Sequence, residues 1–276
     1  MPLDLRKTRC DDAVARVAHV FVAQFDPATE VRKRRSIGCR TDRGTWVRIE
    51  ARTIEKIDGQ GFNGPEAAAI IAGVAKPAWY QGVSWLDQER GAMWRADETE
   101  LVLAPPVKPA GILAVDPNLP DTWWHTLASS LAELAGHATT RVATPGMEQV
   151  TQERVTATIG AVFPDVDTRI DEWTAAHGDF AWANVTAPEC VILDWEDWGM
   201  APRGFDAAML WLYSLAVPAL ANRVYREFQA DLDSRSGLLC RLMHCAEVMT
   251  WPGYEQLGEP AKAHAERIMD QLTKSA

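Results

Sequence analysis

The spacing of apolar residues divides the chain into a strand-rich first part and a helix-rich second part. Residues 31–40 and 45–52 have strand character and lie on either side of TDRG, whose Asp and Gly are typical of a hairpin turn. The sequence GAMWRADETELVLA, residues 91–104, predicts a further pair of strands. Helical spacing predicts a long helix over 11–25 and a short helix over 64–74.

Beyond residue 120 the apolar residues recur at helical spacing. Asp121 is a suitable N-cap for a helix that keeps an apolar stripe. Five later segments show the same periodicity: 151–163, 205–217, 221–232, 238–249 and 260–272. The three prolines of APPVKPAG interrupt the pattern. We therefore predict a small sheet-rich N-terminal lobe over 1–104 and a larger helical C-terminal lobe over 105–276.

Composition narrows the functional classes. With 276 residues, of which 47% are hydrophobic, the chain has enough apolar material for a sizeable core. A net charge of -10 argues against nucleic-acid binding, which usually requires a basic surface. No apolar run approaches the length of a membrane span. The five cysteines form no C-x-x-C pair, which favours reduced thiols and a cytoplasmic protein.

One segment concentrates polar groups between apolar ones. AAHGDFAWANVTAPECVILDWEDWG, residues 175–199, holds one His, five carboxylates and one Asn. TRIDEWTAAHG is interpreted as the end of a helix and ECVILDW as a short strand, so a loop is expected between them. The order Asp179, Asn184, Asp194 suits phosphoryl transfer. In that chemistry one carboxylate orients the attacking hydroxyl, while an amide oxygen and a second carboxylate hold Mg²⁺.

These residues carry a family resemblance. HGDFAWAN followed by VILDWEDWG resembles the aminoglycoside phosphotransferase family, which shares the protein-kinase-like fold. The resemblance implies that Asp179 is the catalytic base, that Asn184 and Asp194 bind the metal, and that His177 braces the loop. In GMAPRGFDAAMLW, Asp206 matches the family Asp that caps the next helix.

The resemblance also implies an activity. We expect an α+β, two-lobed kinase that moves the γ-phosphate of ATP or GTP to a hydroxyl of a small molecule and requires Mg²⁺. An antibiotic is the favoured acceptor (aminoglycoside-like, peptide or nucleoside), and relatives also phosphorylate metabolites such as choline or homoserine. The acids of the helical lobe favour an amine-bearing acceptor. No nucleic-acid or membrane partner is expected.

The N-terminal lobe departs from the family pattern. SIGCRTDRG, between the first two strands, is no glycine-rich phosphate loop, and no strand Lys stands in a V-A-I-K-like context. Alternation gives the third strand two faces: Trp46, Arg48, Glu50 and Arg52 on one, and Val47, Ile49 and Ala51 on the other. Arg48 is the candidate for the nucleotide phosphates, with Arg52 as the alternate. Glu66 opens the short helix and is expected to pair with that arginine.

Two other functions remain open from the sequence. The missing glycine loop and Lys suggest a kinase-like nucleotide- or ligand-binding protein without catalysis. GQGFNG, Gly59–Gly64, has the G-x-G-x-x-G spacing of dinucleotide-dependent oxidoreductases. The charged strand before it is unlike the apolar first strand of that fold, and a loop leading into the helix is the favoured interpretation.

The remaining candidates are aromatic and helical residues. Trp182 and Trp195, beside the acids, are candidate pocket walls. Cys240 and His244 share a helix face but lack a third ligand, so we interpret that pair as packing.

Overall fold

The chain divides into two compact units. The computed structural model describes residues 4–54, 60, 62–109, 112–250 and 253–274. One unit comprises Met1–Ile70 with Lys76–Leu103, and the other comprises Ile71–Ala75 with Ala104–Ala276. The first contains an antiparallel sheet and the second is mainly helical, so the predicted contrast between the two parts of the chain is confirmed.

The N-terminal unit is built around a five-stranded sheet. Its elements are α1 (Asp11–Phe21), β1 (Val31–Arg32), β2 (Ser36–Arg40), β3 (Thr45–Thr53), α2 (Gly64–Ala68), β4 (Trp79–Asp87) and β5 (Ala92–Glu100). The strand order is β1-β2-β3-β5-β4, and every neighbouring pair is antiparallel. A dinucleotide-binding fingerprint requires a parallel sheet, so the topology of the described strands does not fit the interpretation of GQGFNG on which the oxidoreductase alternative rests. Gly59 and Gly61 of GQGFNG lie outside the described residues.

Two strand predictions differ from the structure. Residues 91–104 contain one strand, β5, rather than a pair, and its hairpin partner β4 was not predicted. The sequence of β4, WYQGVSWLD, has large residues on both faces and therefore lacks the apolar–polar alternation of a half-buried strand.

The two faces of the sheet have opposite character. The apolar face, which includes Val47, Ile49 and Trp94, packs with α1 in one core cluster. On the other face the register places Arg48 opposite Asp97 and Glu50 opposite Arg95, so charged residues of opposite sign face each other across β3 and β5.

The C-terminal unit surrounds a buried helix pair. Its elements are α3 (Asp121–Ala135), α4 (Gln152–Gly160), β6 (Trp173–Ala176), β7 (Gly199–Pro202), α5 (Phe205–Leu212), α6 (Pro218–Glu227), α7 (Gln229–Leu232), α8 (Arg235–Thr250) and α9 (Glu255–Lys274). All eight residues of α5 are buried, and α8 packs against α4, α5 and α9. Helices that are buried on most sides form the centre of a core. In the ranges that the structure covers, no helix is both long and apolar enough to cross a membrane.

Local predictions around the polar segment also need correction. TRIDEWTAAHG does not end a helix but contains β6, which pairs with β7 in a two-stranded antiparallel sheet. ECVILDW forms no regular strand; it contributes a single bridge between Val185 and Ile192. Asp121 is the first residue of α3, after an N-cap at Pro120, and pairs with Arg223.

Candidate active site

A buried carboxylate holds the loop that carries Asp179. Asp206, in the first turn of α5, is 7% exposed and accepts hydrogen bonds from the backbone N–H groups of His177 (2.6 Å) and Gly178 (2.9 Å). Burial raises the pKa of Asp206, while His177 and the two N–H groups act to lower it. The capping expectation is wrong, because the N-cap of α5 is Gly204 and both Asp206 oxygens bind the loop instead.

Close backbone packing explains the glycine before Asp179. Gly178 has a φ of +86°, and a Cβ there would lie 2.8 Å from the carbonyl oxygen of Asp197. Any other residue would meet both an unfavourable backbone conformation and a clash.

His177 connects the loop to the segment that ends at Asp194. Its Nε2 lies 2.7 Å from the carbonyl oxygen of Leu193, and its buried ring contacts Phe180 and Trp195 edge-on. The imidazole is therefore fixed by one hydrogen bond and two aromatic neighbours. Its position fits the bracing role that the family resemblance implies.

Asn184 lies against Asp179 and beside the Asp194 segment. Its Nδ2 donates to the backbone carbonyl of Asp179 (2.7 Å) and to Asp179 Oδ2 (3.2 Å). The backbone carbonyl of Asn184 accepts from the N–H of Leu193 (2.8 Å). Asp194 therefore follows directly after a residue that is hydrogen-bonded to Asn184. The structure thus brings Asp179, Asn184 and the Asp194 backbone together.

The donor set fits a magnesium ion that also binds phosphate. Because Nδ2 of Asn184 is used in hydrogen bonds, Oδ1 is the atom that its amide offers to a cation, and Asp194 adds a carboxylate. Mg²⁺ is usually held by one or two protein oxygens together with water and substrate phosphates. No group of three or more His, Cys, Asp or Glu residues that could hold a metal ion occurs in the described part of the chain.

A cavity of about 220 Å³ opens beside Asp179 within the C-terminal unit. Its described lining comes from six places along the chain: Pro145, Gly146, Arg154, Asp179, Phe205, Met209, Leu212, Tyr213, His244, Glu247, Val248 and Tyr254. Asp197 supports one wall, since its backbone carbonyl accepts from Thr144 N–H (2.9 Å), directly before Pro145.

Apart from Asp179, the polar residues of this cavity were not predicted as site residues from the sequence, and His244 was interpreted as packing. His244 Nδ1 lies 2.9 Å from Glu247 Oε2, and Arg154 lies 3.6 Å from Glu247 Oε1. Burial acts to raise the pKa of Glu247, but the hydrogen bond from His244 and the charge of Arg154 outweigh it, and the pKa is lowered. The i, i+3 spacing of His244 and Glu247 on one helix face was the available signal. Cys240 is buried beside the carbonyl of Pro202, in line with a packing role.

The two candidate pocket tryptophans lie in the interior. Trp182 is 2% exposed, packs against Trp123 and Trp124, and donates from Nε1 to Ser214 Oγ. Trp195 is also buried and donates to the carbonyl of Ile192. Neither belongs to the described lining of the cavity beside Asp179.

The N-terminal candidates lie on the charged face of the sheet. Glu50 pairs with Arg48 at 3.3 Å and with Arg52 at 2.9 Å. Glu66 accepts from Arg95 at 3.1 Å, a partner that the sequence did not indicate. Gly82 on β4 makes room for this arginine, since a Cβ at that position would clash with the Arg95 guanidinium.

The turn between β2 and β3 is tight and carries one glycine. Thr41 N–H donates to the Thr45 carbonyl at 3.0 Å, and the two threonine hydroxyls bond each other at 2.6 Å. Arg43 in the turn pairs with Glu98 at 2.6 Å.

Part of the chain matches a known enzyme family. Residues 107–238 match the model of a family described as the phosphotransferase enzyme family, APH. The resemblance to the aminoglycoside phosphotransferase family is confirmed. No curated protein matches the sequence.

Solved structures match over nearly the whole chain. Amicoumacin kinase hAmiN, in complex with AMP-PNP, Ca²⁺ and Ami, has a TM-score of 0.57 at 8% identity, covering 97% of this chain and 94% of that one. Aminoglycoside phosphotransferase APH(4)-Ia has a TM-score of 0.55 at 10% identity, covering 96% and 98%. A choline/ethanolamine kinase family protein from Mesorhizobium loti has a TM-score of 0.52 at 15% identity, covering 95% and 97%. These matches confirm the predicted protein-kinase-like α+β fold.

Replacing Asp206 by Asn tests the support of the loop. An amide offers only one acceptor oxygen, so one backbone N–H loses its partner and faces an NH₂ group. We expect a loss of about 1–3 kcal/mol in the free energy of unfolding, measured by urea denaturation. The matched control is Asp179→Asn, at a half-buried position on the cavity, which should keep its stability. Equal stability of the two variants would contradict the role of Asp206.

Proposed function

We propose that this protein is a phosphotransferase that moves the γ-phosphate of ATP or GTP to a hydroxyl group of a small molecule. The observation that carries the proposal is the position of Asp179: its carboxylate is oriented by Asn184 and borders a cavity of small-molecule size. The match of residues 107–238 to a phosphotransferase family supports the same conclusion.

Asp179 would position the acceptor. The acceptor oxygen forms a bond to the γ-phosphorus while the bond to the β–γ bridging oxygen breaks and the nucleoside diphosphate leaves. The hydroxyl proton passes to an Asp179 carboxylate oxygen. In a loose transition state, positioning of the hydroxyl matters more than its early deprotonation. Asp206 and His177 serve this step by keeping the loop in place.

Asn184 and Asp194 would hold Mg²⁺. When bound, the cation offsets the negative charge that several acids and the nucleotide phosphates bring to one place. The hydrogen bonds of Asn184 fix its amide before any cation arrives, which reduces the ordering cost of binding.

Arg48 is the proposed phosphate contact in the N-terminal unit, with Arg52 as the alternate. Both lie on the charged face of β3 and share Glu50 as a partner, and Glu66 belongs to the same face through Arg95. Arg48 retains more exposed side chain (27%) than Arg52 (11%), which favours it for contact with a ligand.

An antibiotic is the proposed acceptor class, supported by neighbours that are named for amicoumacin and aminoglycosides. Neighbours described as complexes with AMP-PNP, ADP or GDP support a nucleotide co-substrate. The five cysteines are buried free thiols, which suits a protein that works in the cytoplasm.

One observation favours a kinase-like binding protein without catalysis. The β2–β3 turn, where a glycine-rich phosphate loop is expected in a kinase, carries a single glycine, and its Arg43 is paired with Glu98. This alternative requires binding of Mg²⁺-nucleotide without acceptor-dependent release of nucleoside diphosphate, and it fails if release is observed.

Asp194→Asn tests the metal site. Asn keeps the size of the side chain but lowers its charge, so the Mg²⁺ concentration needed for nucleotide binding should rise, as measured by titration calorimetry. The control is Glu189→Gln, which removes an exposed carboxylate from the same segment. The assignment is wrong if neither variant changes the Mg²⁺ requirement.

Asp179→Asn tests the catalytic assignment. The variant keeps the shape but loses the proton acceptor, so kcat should fall by roughly 10²–10⁴-fold while nucleotide affinity stays nearly unchanged. Turnover is measured on an acceptor identified from a library of hydroxyl compounds by nucleoside diphosphate release. Near-normal kcat would make this segment a binding loop rather than a catalytic one.

Arg48→Ala tests the phosphate contact. It should raise KM for the nucleotide more than KM for the acceptor, because it removes a cation near the phosphates and leaves the C-terminal cavity intact. Arg52→Ala is the matched variant on the same strand. If only Arg52→Ala has this effect, the alternate arginine is the phosphate ligand.

A further inference from the structure

We infer that the acceptor is a compact, ring-containing hydroxyl compound with a largely apolar skeleton, bound in the cavity beside Asp179, and not a polyamine. This inference rests on the proposed function, since it assigns the substrate class of the same site. It replaces the amine-bearing acceptor that the acids of the helical lobe suggested, and it narrows the proposed antibiotic class to compounds that are not polyamines.

The walls of the cavity are mostly apolar. Phe205, Met209, Leu212 and Val248 contribute hydrocarbon surface from α5 and α8, and Met209 and Leu212 are themselves in the buried core. Such surface binds apolar ligand atoms by removing them from water.

Two tyrosines add aromatic surface. Tyr213 and Tyr254 have ring centroids 6.2 Å apart and both line the cavity. Burial and a hydrogen bond to Tyr254 raise the pKa of Tyr213, so its hydroxyl stays neutral. Aromatic faces next to aliphatic side chains suit a flat or cyclic ligand.

The charged side chains of the described lining are two carboxylates and one guanidinium, with His244 beside them. Its carboxylates are Asp179 and Glu247, and Glu247 is already paired with Arg154 and with His244. Asp179 is therefore the one carboxylate in the described lining without a cationic side chain beside it, and the proposed reaction uses it. The net charge of -10 belongs to the chain as a whole and does not extend to this cavity.

A polyamine would bind such a lining poorly. Each ammonium group loses its hydration on entering a cavity, and this cost is recovered only if a carboxylate is available to pair with it. Arg154 would also repel a nearby ammonium group. A neutral ring loses no ionic hydration on entering the cavity and is not repelled by Arg154.

One polar group remains for recognition. His244 is 2% exposed, its Nδ1 faces Glu247, and its Nε2 has no hydrogen-bond partner among the described residues. A ligand hydroxyl can both donate and accept, so it matches Nε2 whichever role the ring gives that atom.

The cavity is small. Its volume of about 220 Å³ is below the roughly 300–1,000 Å³ of typical drug-sized sites, so the part of the acceptor that enters it is one or two rings in size.

The first test compares two acceptor series. Neutral cyclic and aromatic alcohols are matched in hydroxyl number with polyamino cyclitols, and nucleoside diphosphate release is measured with Mg²⁺-ATP and Mg²⁺-GTP at low and high ionic strength. We expect release with the neutral alcohols and a KM that salt leaves unchanged, because no charge pairing is screened. Preference for the polyamines, with a KM that rises with salt, would overturn the inference.

The second test changes one wall of the cavity. Tyr254→Ala removes a half-buried ring and should raise KM for the neutral alcohol by about tenfold or more, from lost apolar contact. Tyr254→Phe keeps the ring and should raise KM much less. Tyr80→Ala, which removes an exposed tyrosine on β4, is the control and should leave KM unchanged. If Tyr254→Ala matches the control while remaining folded by its melting temperature, the acceptor does not bind in this cavity.

The two tests separate this inference from the proposed function. Turnover of polyamines refutes only the substrate class. If the protein binds nucleotide with Mg²⁺ but turns over no neutral alcohol, the substrate class is also refuted. If it does not bind nucleotide with Mg²⁺ at all, both the substrate class and the proposed function are refuted.

Discussion

The candidate site depends on one buried carboxylate. Removing Asp206 from water costs free energy, as its raised pKa indicates, and the two backbone N–H groups and the neighbouring imidazole offset that cost. Because α5 is buried along its whole length, the carboxylate is fixed to the core of the C-terminal unit. The backbone of the loop is held at the two residues before Asp179. If Asp179 has the proposed catalytic role, this support lowers the cost of placing its carboxylate when the ligand binds.

The order of the site residues could be predicted from the sequence, but their support could not. Asp179 and Asn184 are five residues apart, and a loop of that length brings them into contact, as observed. Asp206 lies 28 residues beyond Gly178, and its partner groups are backbone N–H groups, which leave no trace in a pattern of side chains. For that reason the helix-capping interpretation was the available one, although it is wrong.

The cavity was beyond sequence analysis for a related reason. Its lining combines Gly146, Arg154, Phe205 and Tyr254, which are far apart in the sequence and come together through the packing of α4, α5 and α9 against α8. In the N-terminal unit, alternation correctly placed Arg48 and Arg52 on the face of β3 opposite the core. It did not reveal the pairing of Glu66 with Arg95, since that contact depends on how α2 meets the sheet.

The backbone at Asp194 restricts which residue can occupy that position. Its φ of +67° lies in the left-handed region, where Asp, Asn and Gly are tolerated far better than other residues. Of these three, only Asp brings a full negative charge to a cation, while Glu brings the charge without the tolerance for this conformation. Main-chain geometry and the proposed metal-binding role therefore favour the same amino acid for independent reasons. Asn or Gly would keep the backbone conformation and lose the charge, whereas Glu would keep the charge and strain the backbone, so each exchange gives up one of the two properties that Asp combines.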